Sequence, residues 1–292
     1  MDQHFPPIDA AHAMAEMLRG FSIEVTPGAV GSAGSALALL PAGTETFIAY
    51  LPTSTPDQLV SAAELLQRAG MTPVPHIVAR SFASAVELDR LLGRLGDRAG
   101  VTRVLIIAGD RDAVAGPYES SLQIIRSGIL EKSGIRNVYV SCYPEGHPRI
   151  ANDRLREARV GKLAAIKHAG LEGGLVSQFC FEASPIIALA RGIRSGPCPA
   201  PYRVGVAGPA TSATLLKYAM MCGVGASMRA LRERQSLTRN LLGGATPELL
   251  IEQLARARND EPDIGLDGVH FFTFGALAKT AELIASMTKR KS

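Results

Sequence analysis

An aromatic ring, a carboxylate and an imidazole stand at alternate positions in Tyr143-Pro144-Glu145-Gly146-His147-Pro148, directly after the apolar run Asn137 to Val140 and Ser141-Cys142. Two prolines and a glycine fix the backbone there, so the three side chains project from a stiff turn. Other polar residues interrupt apolar runs: Glu24 in Phe-Ser-Ile-Glu-Val, His76 in Pro-His-Ile, Gly109-Asp110 after Val101 to Ala108, and Gln178 in Val-Ser-Gln-Phe. Tyr50 closes a further run. An ionisable or amide group within an apolar strand must be satisfied by a partner or a ligand. A lone Glu24 in a water-poor mouth is expected to have a raised pKa, which suits a general acid. Glu24 and Asp110 together would suit a carboxylate-pair hydrolase. Gln178 beside a Tyr/His turn fits a flat heterocycle better, because rings need stacking faces and paired donors and acceptors. No nucleophile elbow and no H-E-x-x-H is present.

These residues lie at the ends of regularly spaced elements. Strands are predicted at Phe21–Val25, Thr46–Tyr50, Pro73–Ala79, Val101–Ala108, Asn137–Cys142, Gly173–Phe181, Tyr202–Ala207 and Gly268–Phe274. Helical spacing falls between them at Thr55–Ala69, Ala83–Leu95, Tyr118–Leu130, Asp153–Ala169, Pro185–Arg191, Thr211–Met221, Thr246–Ala257 and Ala276–Met287. Thr55-Pro56-Asp57 and Thr246-Pro247-Glu248 carry capping signals. The first crossover, Thr26 to Ala42, is the weakest unit, and Gly28-x-x-Gly31-x-x-Gly34 reads as a flexible loop because its spacing is wrong for G-x-G-x-x-G. Eight β-then-α units predict an α/β fold, a single-domain (β/α)8 TIM barrel over 1–292, with extra helical structure around 223–244. In such a barrel the active site is built at the C-terminal ends of the strands, where the polar residues above fall.

Composition narrows the class. The chain has 292 residues, 47% hydrophobic and 20% charged, with no apolar run of the roughly 20 residues that a membrane span needs. Met1 to Pro7 lacks the basic and apolar regions of a signal peptide, so a cytoplasmic address is expected. Four cysteines without a C-x-x-C pair support neither a zinc knuckle nor a disulfide framework and read as small buried hydrophobes. The net charge of +4 would suit an anionic small molecule but reads first as the ordinary dressing of a soluble surface, while Arg229, Arg232, Arg234, Arg239 and the Lys289-Arg290-Lys291 tail lack the aromatic interleaving of a nucleic-acid platform.

Taken together, the motifs resemble the methylenetetrahydrofolate reductase family nearly end to end. Tyr143-Pro144-Glu145-Gly146-His147-Pro148 matches that family's Tyr-Pro-Glu-x-His-Pro; Ile23-Glu24, Pro75-His76, Gly109-Asp110 and Ser177-Gln178-Phe179 are similar to its other strand-end motifs, in the same order. The resemblance implies a short, single-barrel bacterial type that is FAD-dependent and interconverts 5,10-methylenetetrahydrofolate and 5-methyltetrahydrofolate in one-carbon metabolism and methionine biosynthesis. It assigns Glu24 and Asp110 to catalysis. Gln178 and Tyr50 would bind the tetrahydrofolate derivative, and His76, Gly109, Asp110, Tyr143, His147 and Lys167 would bind FAD. NADH or NADPH would be the electron donor, unless a partner protein supplies electrons to a folate-binding member with little activity of its own; a homo-oligomer is expected. The chain departs from the family at Ala108, where the family has arginine, at Ala49, and at Phe274-Gly275-Ala276, where it has Leu-Asn-Arg.

Overall fold

In the computed structural model, which describes residues 10–222 and 247–289, eight strands pair in parallel in chain order, and the last returns to the first. They are β1 (Ser22–Val25), β2 (Glu45–Ile48), β3 (Thr72–Val78), β4 (Arg103–Ile107), β5 (Asn137–Cys142), β6 (Glu172–Ser177), β7 (Tyr202–Ala207) and β8 (Leu266–Phe272). The β1–β8 pairing aligns Ser22 with His270 and Glu24 with Phe272, closing the (β/α)8 barrel that the βα alternation predicts. Each expected strand is present.

The helices are α1 (Ala10–Met17), α2 (Pro27–Val30), α3 (Gly34–Leu37), α4 (Pro56–Arg68), α5 (Ala85–Ala99), α6 (Ser121–Arg126), α7 (Ile129–Lys132), α8 (Asn152–His168), α9 (Ala183–Arg194), α10 (Ser212–Cys222), α11 (Glu248–Asp260) and α12 (Leu277–Lys289). Thr55 begins α4 with a reciprocal capping box: its hydroxyl accepts from the Gln58 amide at 3.3 Å while the Gln58 side chain accepts from the Thr55 amide at 2.9 Å. Three expectations change. The glycine-spaced stretch folds as α2 and α3 instead of a loop. The helix expected over Tyr118–Leu130 breaks into α6 and α7, because Gly128 adopts a φ of 76°. The helix α1, ahead of the barrel, has no counterpart among the predicted elements. The expected helical insert at 223–244 and the Thr246 cap lie outside the described residues. Among the described residues no helix is long and apolar enough to cross a membrane.

Outward side chains such as Ile23, Ile48, Ile77, Val104, Val140 and Phe271 form the main core with Leu59, Leu66, Leu88, Leu92 and Leu254 of the helices. Each full burial of this kind contributes about 1.5–3 kcal/mol. Inside the barrel a smaller set, Phe47, Val74, Leu105, Tyr139 and Val176, fills the middle. Gly174 makes that packing possible: a Cβ there would stand 2.7 Å from the Tyr139 ring. Below it, at the N-terminal ends of the strands, the Glu45 carboxylate accepts from Arg103 at 2.9 Å and from the Tyr139 hydroxyl at 2.8 Å, and also pairs with Arg203. Burial pushes the Tyr139 hydroxyl up to about 12, with Glu45 adding to the rise and the two guanidiniums opposing it. Each charged group of this floor has a partner of opposite sign.

Candidate active site

Farther along the barrel interior, β1 and β8 bring together a serine at the first position of β1, a histidine and, toward the opposite end, a glutamate. Because Ser22 and His270 are register partners and both point inward, Ser22 Oγ lies 2.9 Å from His270 Nδ1, with both side chains fully buried. Two residues on, the same face of β1 presents Glu24, whose Oε2 stands 3.7 Å from His270 Nε2 and 3.4 Å from His76 Nε2 on β3. The Phe47 ring packs beneath both imidazoles, its centroid 4.7 Å from His270 and 6.2 Å from His76. Neither Nε2 makes a hydrogen bond, although both are buried. Two orphaned nitrogens flank one carboxylate.

The expectation of a lone glutamate with a raised pKa is overturned. Burial is the largest influence and does push the Glu24 carboxyl upward, but the pull of the His270 ring and the charges of His76 and His270 outweigh it, leaving the pKa below the ordinary 4.5. At 3.7 Å the His270 contact is longer than a formed hydrogen bond and is a close ion-dipole approach. Burial drives the His76 pKa down, against the opposing charge of Glu24. An ionised Glu24 selects the His270 tautomer with hydrogen on Nε2, which leaves Nδ1 to accept from the Ser22 hydroxyl.

The rim above this centre is built by the loops after β4, β5 and β6. Gly109 has a φ of 93°, and a Cβ there would meet Val78 Cγ1 at 2.4 Å; only glycine lets the chain turn so close to β3. Asp110 is exposed on that turn, 3.7 Å from Arg149, which also reaches Asp112 at 3.5 Å. The Tyr143 hydroxyl lies 3.2 Å from Ser141 Oγ, and its ring meets His147 edge-on at 5.2 Å. His147 Nδ1 accepts from the Arg149 backbone N–H at 3.2 Å. Its pKa is lowered, first by burial and then by Arg149, against the charge of Asp110. Gln178 is half-buried, and its Oε1 accepts from the next backbone amide, that of Phe179, at 3.1 Å. Cys222, at the end of α10, comes near Glu24, Asp110 and Gln178. Burial, then Glu24 and Asp110, push its thiol up to about 11, while Gln178 opposes them.

An aromatic wall climbs from the centre along β8. His270 meets Phe272 at 4.9 Å, Phe272 stacks near-parallel with Phe274 at 6.1 Å, and Phe274 tilts against Tyr218 of α10 at 4.7 Å. Gly205 makes room for it, since a Cβ there would stand 2.8 Å from the Phe272 ring. Phe274 holds a φ of 48°, the sole positive value for a non-glycine among the described residues. Such a conformation costs of order 1–3 kcal/mol and points the ring into the wall instead of along the strand.

Of the residues singled out from sequence, Glu24, His76, Gly109, Asp110, Tyr143, His147 and Gln178 stand at this end of the barrel. Two do not join them. Tyr50 falls on the outward parity of β2, packs against the helix-layer core, and has its hydroxyl pKa raised by burial and by Glu87 of α5. Lys167 is exposed in the last turn of α8, beside the start of β6 and so at the floor end, a barrel length from the rim. Its spacing from the turn matched, but a helix running back along the barrel carries its last turn away from the mouth. Glu145 turns toward the Cys180 thiol, raising that pKa after burial. Arg80 does not take the place of the arginine missing at Ala108: its guanidinium donates to the carbonyls of Glu119 and Arg111 at 2.9 and 3.1 Å and so pins the β4 loop.

Ser22, His270 and Arg149 escaped the sequence reading. His270 carried the same signal as Glu24, an ionisable residue in an apolar strand with 268, 270 and 272 on one face. Arg149, just beyond the proline that ends the motif, had no such signal. Among the described residues no group of three or more His, Cys, Asp or Glu side chains is arranged to hold a metal ion.

No family model matches the chain. Among solved structures it is similar to 3-dehydroquinate dehydratase from Geobacillus kaustophilus HTA426, at 12% identity and a TM-score of 0.40 over 64% of this chain and 73% of that one. It is also similar to a sugar phosphate isomerase/epimerase from Parabacteroides distasonis ATCC 8503, at 11% identity and a TM-score of 0.41 over 91% and 94% of the two chains. Likenesses at this level leave the chemistry to be argued from the site itself.

Proposed function

We propose that this chain is a flavin-dependent oxidoreductase that interconverts 5,10-methylenetetrahydrofolate and 5-methyltetrahydrofolate, with the Glu24 centre handling the proton. The observation that carries the reading is the meeting of Glu24, His76 and His270 beneath a rim bearing Asp110, Tyr143, His147 and Gln178. A buried carboxylate between two imidazole nitrogens with no other partner is a place to hold and move one proton. Opening the five-membered ring of the methylene folate requires a proton on the departing N10 while hydride arrives at the methylene carbon. Ser22 orients His270, and His270 holds its hydrogen toward Glu24. The carboxylate therefore passes on a proton that it shares with an imidazole instead of carrying one permanently. Phe272, Phe274 and Gln178 offer a stacking face and an amide to a flat pterin.

The rim residues fit FAD in part by their own chemistry. Tyr143 and His147 present ring edges, Gly109 lets a ligand approach the backbone, and Arg149 supplies the cation that Lys167 does not. Its pairs with Asp110 and Asp112 are exposed and worth about 0–1 kcal/mol, so a diphosphate can replace them. Bound there, FAD would supply the hydride. A second reading, a folate-binding protein that takes electrons from a partner, is favoured by one observation: position 108, after β4, is an alanine that offers no cation, and nearby Arg80 is already committed to backbone carbonyls. Anaerobic absorption spectra before and after adding NADH, NADPH or methyltetrahydrofolate separate the two. Bleaching of a flavin band by a nicotinamide supports the first, and folate binding without such bleaching supports the second. Glu24→Gln should spare flavin reduction by a nicotinamide and slow the folate half-reaction by about 10²–10⁴-fold. Equal loss in both half-reactions would sink the proton role.

A further inference from the structure

A second concavity lies on the flank of the barrel, outside the sheet, between α8 and α9. Its volume is about 720 Å³, in the range of small-molecule sites. It exists because α8 packs toward α6, and α9 toward α11, leaving a gap over β5 and β6. The two walls differ in chemistry. From α8 come Arg156, Arg159 and Lys162; from α9 come Leu189, Gly192 and Ile193. Among the described residues no aspartate or glutamate lines it.

Arg156 is exposed and pairs with Asp153 at 3.6 Å. Arg159 and Lys162 are half-buried, and among the described residues neither pairs with a carboxylate. Both line the groove together with the buried Cys142 of β5, close enough for their charges to oppose the rise in its thiol pKa. Burial lowers the Lys162 pKa, which marks an ammonium short of water and of a counter-ion. Two half-buried cations without an anion leave an unmatched cost, and a bound anion would offset it. A guanidinium fork beside an ammonium suits phosphate, and the facing apolar stripe suits a flat organic body.

We propose that the groove between α8 and α9 binds an organic phosphate of about nucleotide size, its phosphate held by Arg159 and Lys162 and its body lying against Leu189 and Ile193. Ser141, Tyr143 and Pro144 also line the groove, so its inner end adjoins the turn after β5, while the cations and the apolar stripe that define it lie outside the sheet on α8 and α9. It stands whether or not the folate reading does.

Calorimetric titration with ADP and with inorganic pyrophosphate tests it on the full chain. ADP should bind more tightly than pyrophosphate, and Arg159→Ala and Lys162→Ala should each weaken ADP at least tenfold. Gly192→Leu is the decisive variant. A Cβ at Gly192 meets nothing within 4 Å, so the leucine can enter the groove without a clash, and an unchanged melting temperature would verify the fold. It should abolish ADP binding, whereas Glu24→Gln should leave it unchanged. Lys162 should also be acylated by acetic anhydride more slowly when ADP is present. Absence of ADP binding overturns the proposal, as does binding that ignores the groove variants or pyrophosphate matching ADP. So does a dimer, seen by sedimentation, that Gly192→Leu dissociates while ADP binding stays intact, which would make the groove a subunit contact.

Discussion

Removing the Ser22 hydroxyl isolates the one hydrogen bond that orients the proposed proton centre. Ser22 and His270 are both fully buried, so in Ser22→Ala the His270 Nδ1, 2.9 Å from the lost oxygen, has no water to turn to. Leaving a buried acceptor unmatched costs about 1–3 kcal/mol. For a chain of this length each kcal/mol lowers the melting temperature by about 2–4 °C. His270→Phe removes the other partner while keeping an aromatic ring against Phe47 and Phe272. In the double variant both polar groups are gone and the orphan vanishes, so the double should be more stable than the two single losses added together, by about 1–3 kcal/mol. Urea denaturation of the four proteins measures that coupling. The ¹⁵N shifts of His270 report the tautomer: hydrogen on Nε2 in the wild type, a mixture in Ser22→Ala. Additive losses, together with an unchanged tautomer, would refute the orientation argument.

Two further perturbations follow from the same geometry. His76 and Glu24 both have depressed folded-state pKa values, so each contributes stability that is present above its unfolded value and lost as pH falls through its folded one. Stability should therefore decline in acid, first below the ordinary histidine value of 6.5 and then below the ordinary glutamate value of 4.5. The difference between wild type and Glu24→Gln should close over the lower window, and denaturation curves at stepped pH showing a constant gap would contradict the assignment. Gly174→Ala places a methyl 2.7 Å from the Tyr139 ring and should cost about 1–3 kcal/mol by overpacking. Gly161→Ala, inside α8 with its nearest neighbour at 4.0 Å, should instead gain about 0.5–1 kcal/mol in the same denaturation assay.

The barrel was legible because its signals are local. Eight apolar runs separated by capped helices leave few alternatives, and Thr55 with Gln58 made its capping box where the hydroxyl and proline announced a helix start. The site was legible only strand by strand. Glu24, His76 and Gln178 stood out as polar residues in apolar runs, but that pattern is blind to what faces each of them across the barrel. The pKa of Glu24 therefore came out with the wrong sign, since β8 and β3 supply the two imidazoles and neither is near it in sequence. Lys167 failed for a related reason. Spacing along the chain measures distance along α8, and α8 runs away from the mouth. Tyr50 failed on parity, one residue beyond the inward-facing Ala49.

The two ends of the barrel use buried charge in opposite ways, and Phe47 divides them. Below its ring, Glu45 is surrounded by Arg103, Arg203 and the Tyr139 hydroxyl, so every formal charge has a partner of opposite sign or a donor in contact. Above it, one carboxylate faces two imidazoles whose Nε2 atoms have no hydrogen bond. An orphaned buried nitrogen costs about 1–3 kcal/mol, so the two layers contribute differently to folding. The mouth keeps its orphans where the strand ends meet the rim, within reach of the aromatic wall of β8 and the stiff turn after β5. Unmatched groups at that end, held by a charge-paired floor at the other, are what a proton-handling site requires: partners that become satisfied when substrate arrives, on a scaffold that does not yield to satisfy them sooner.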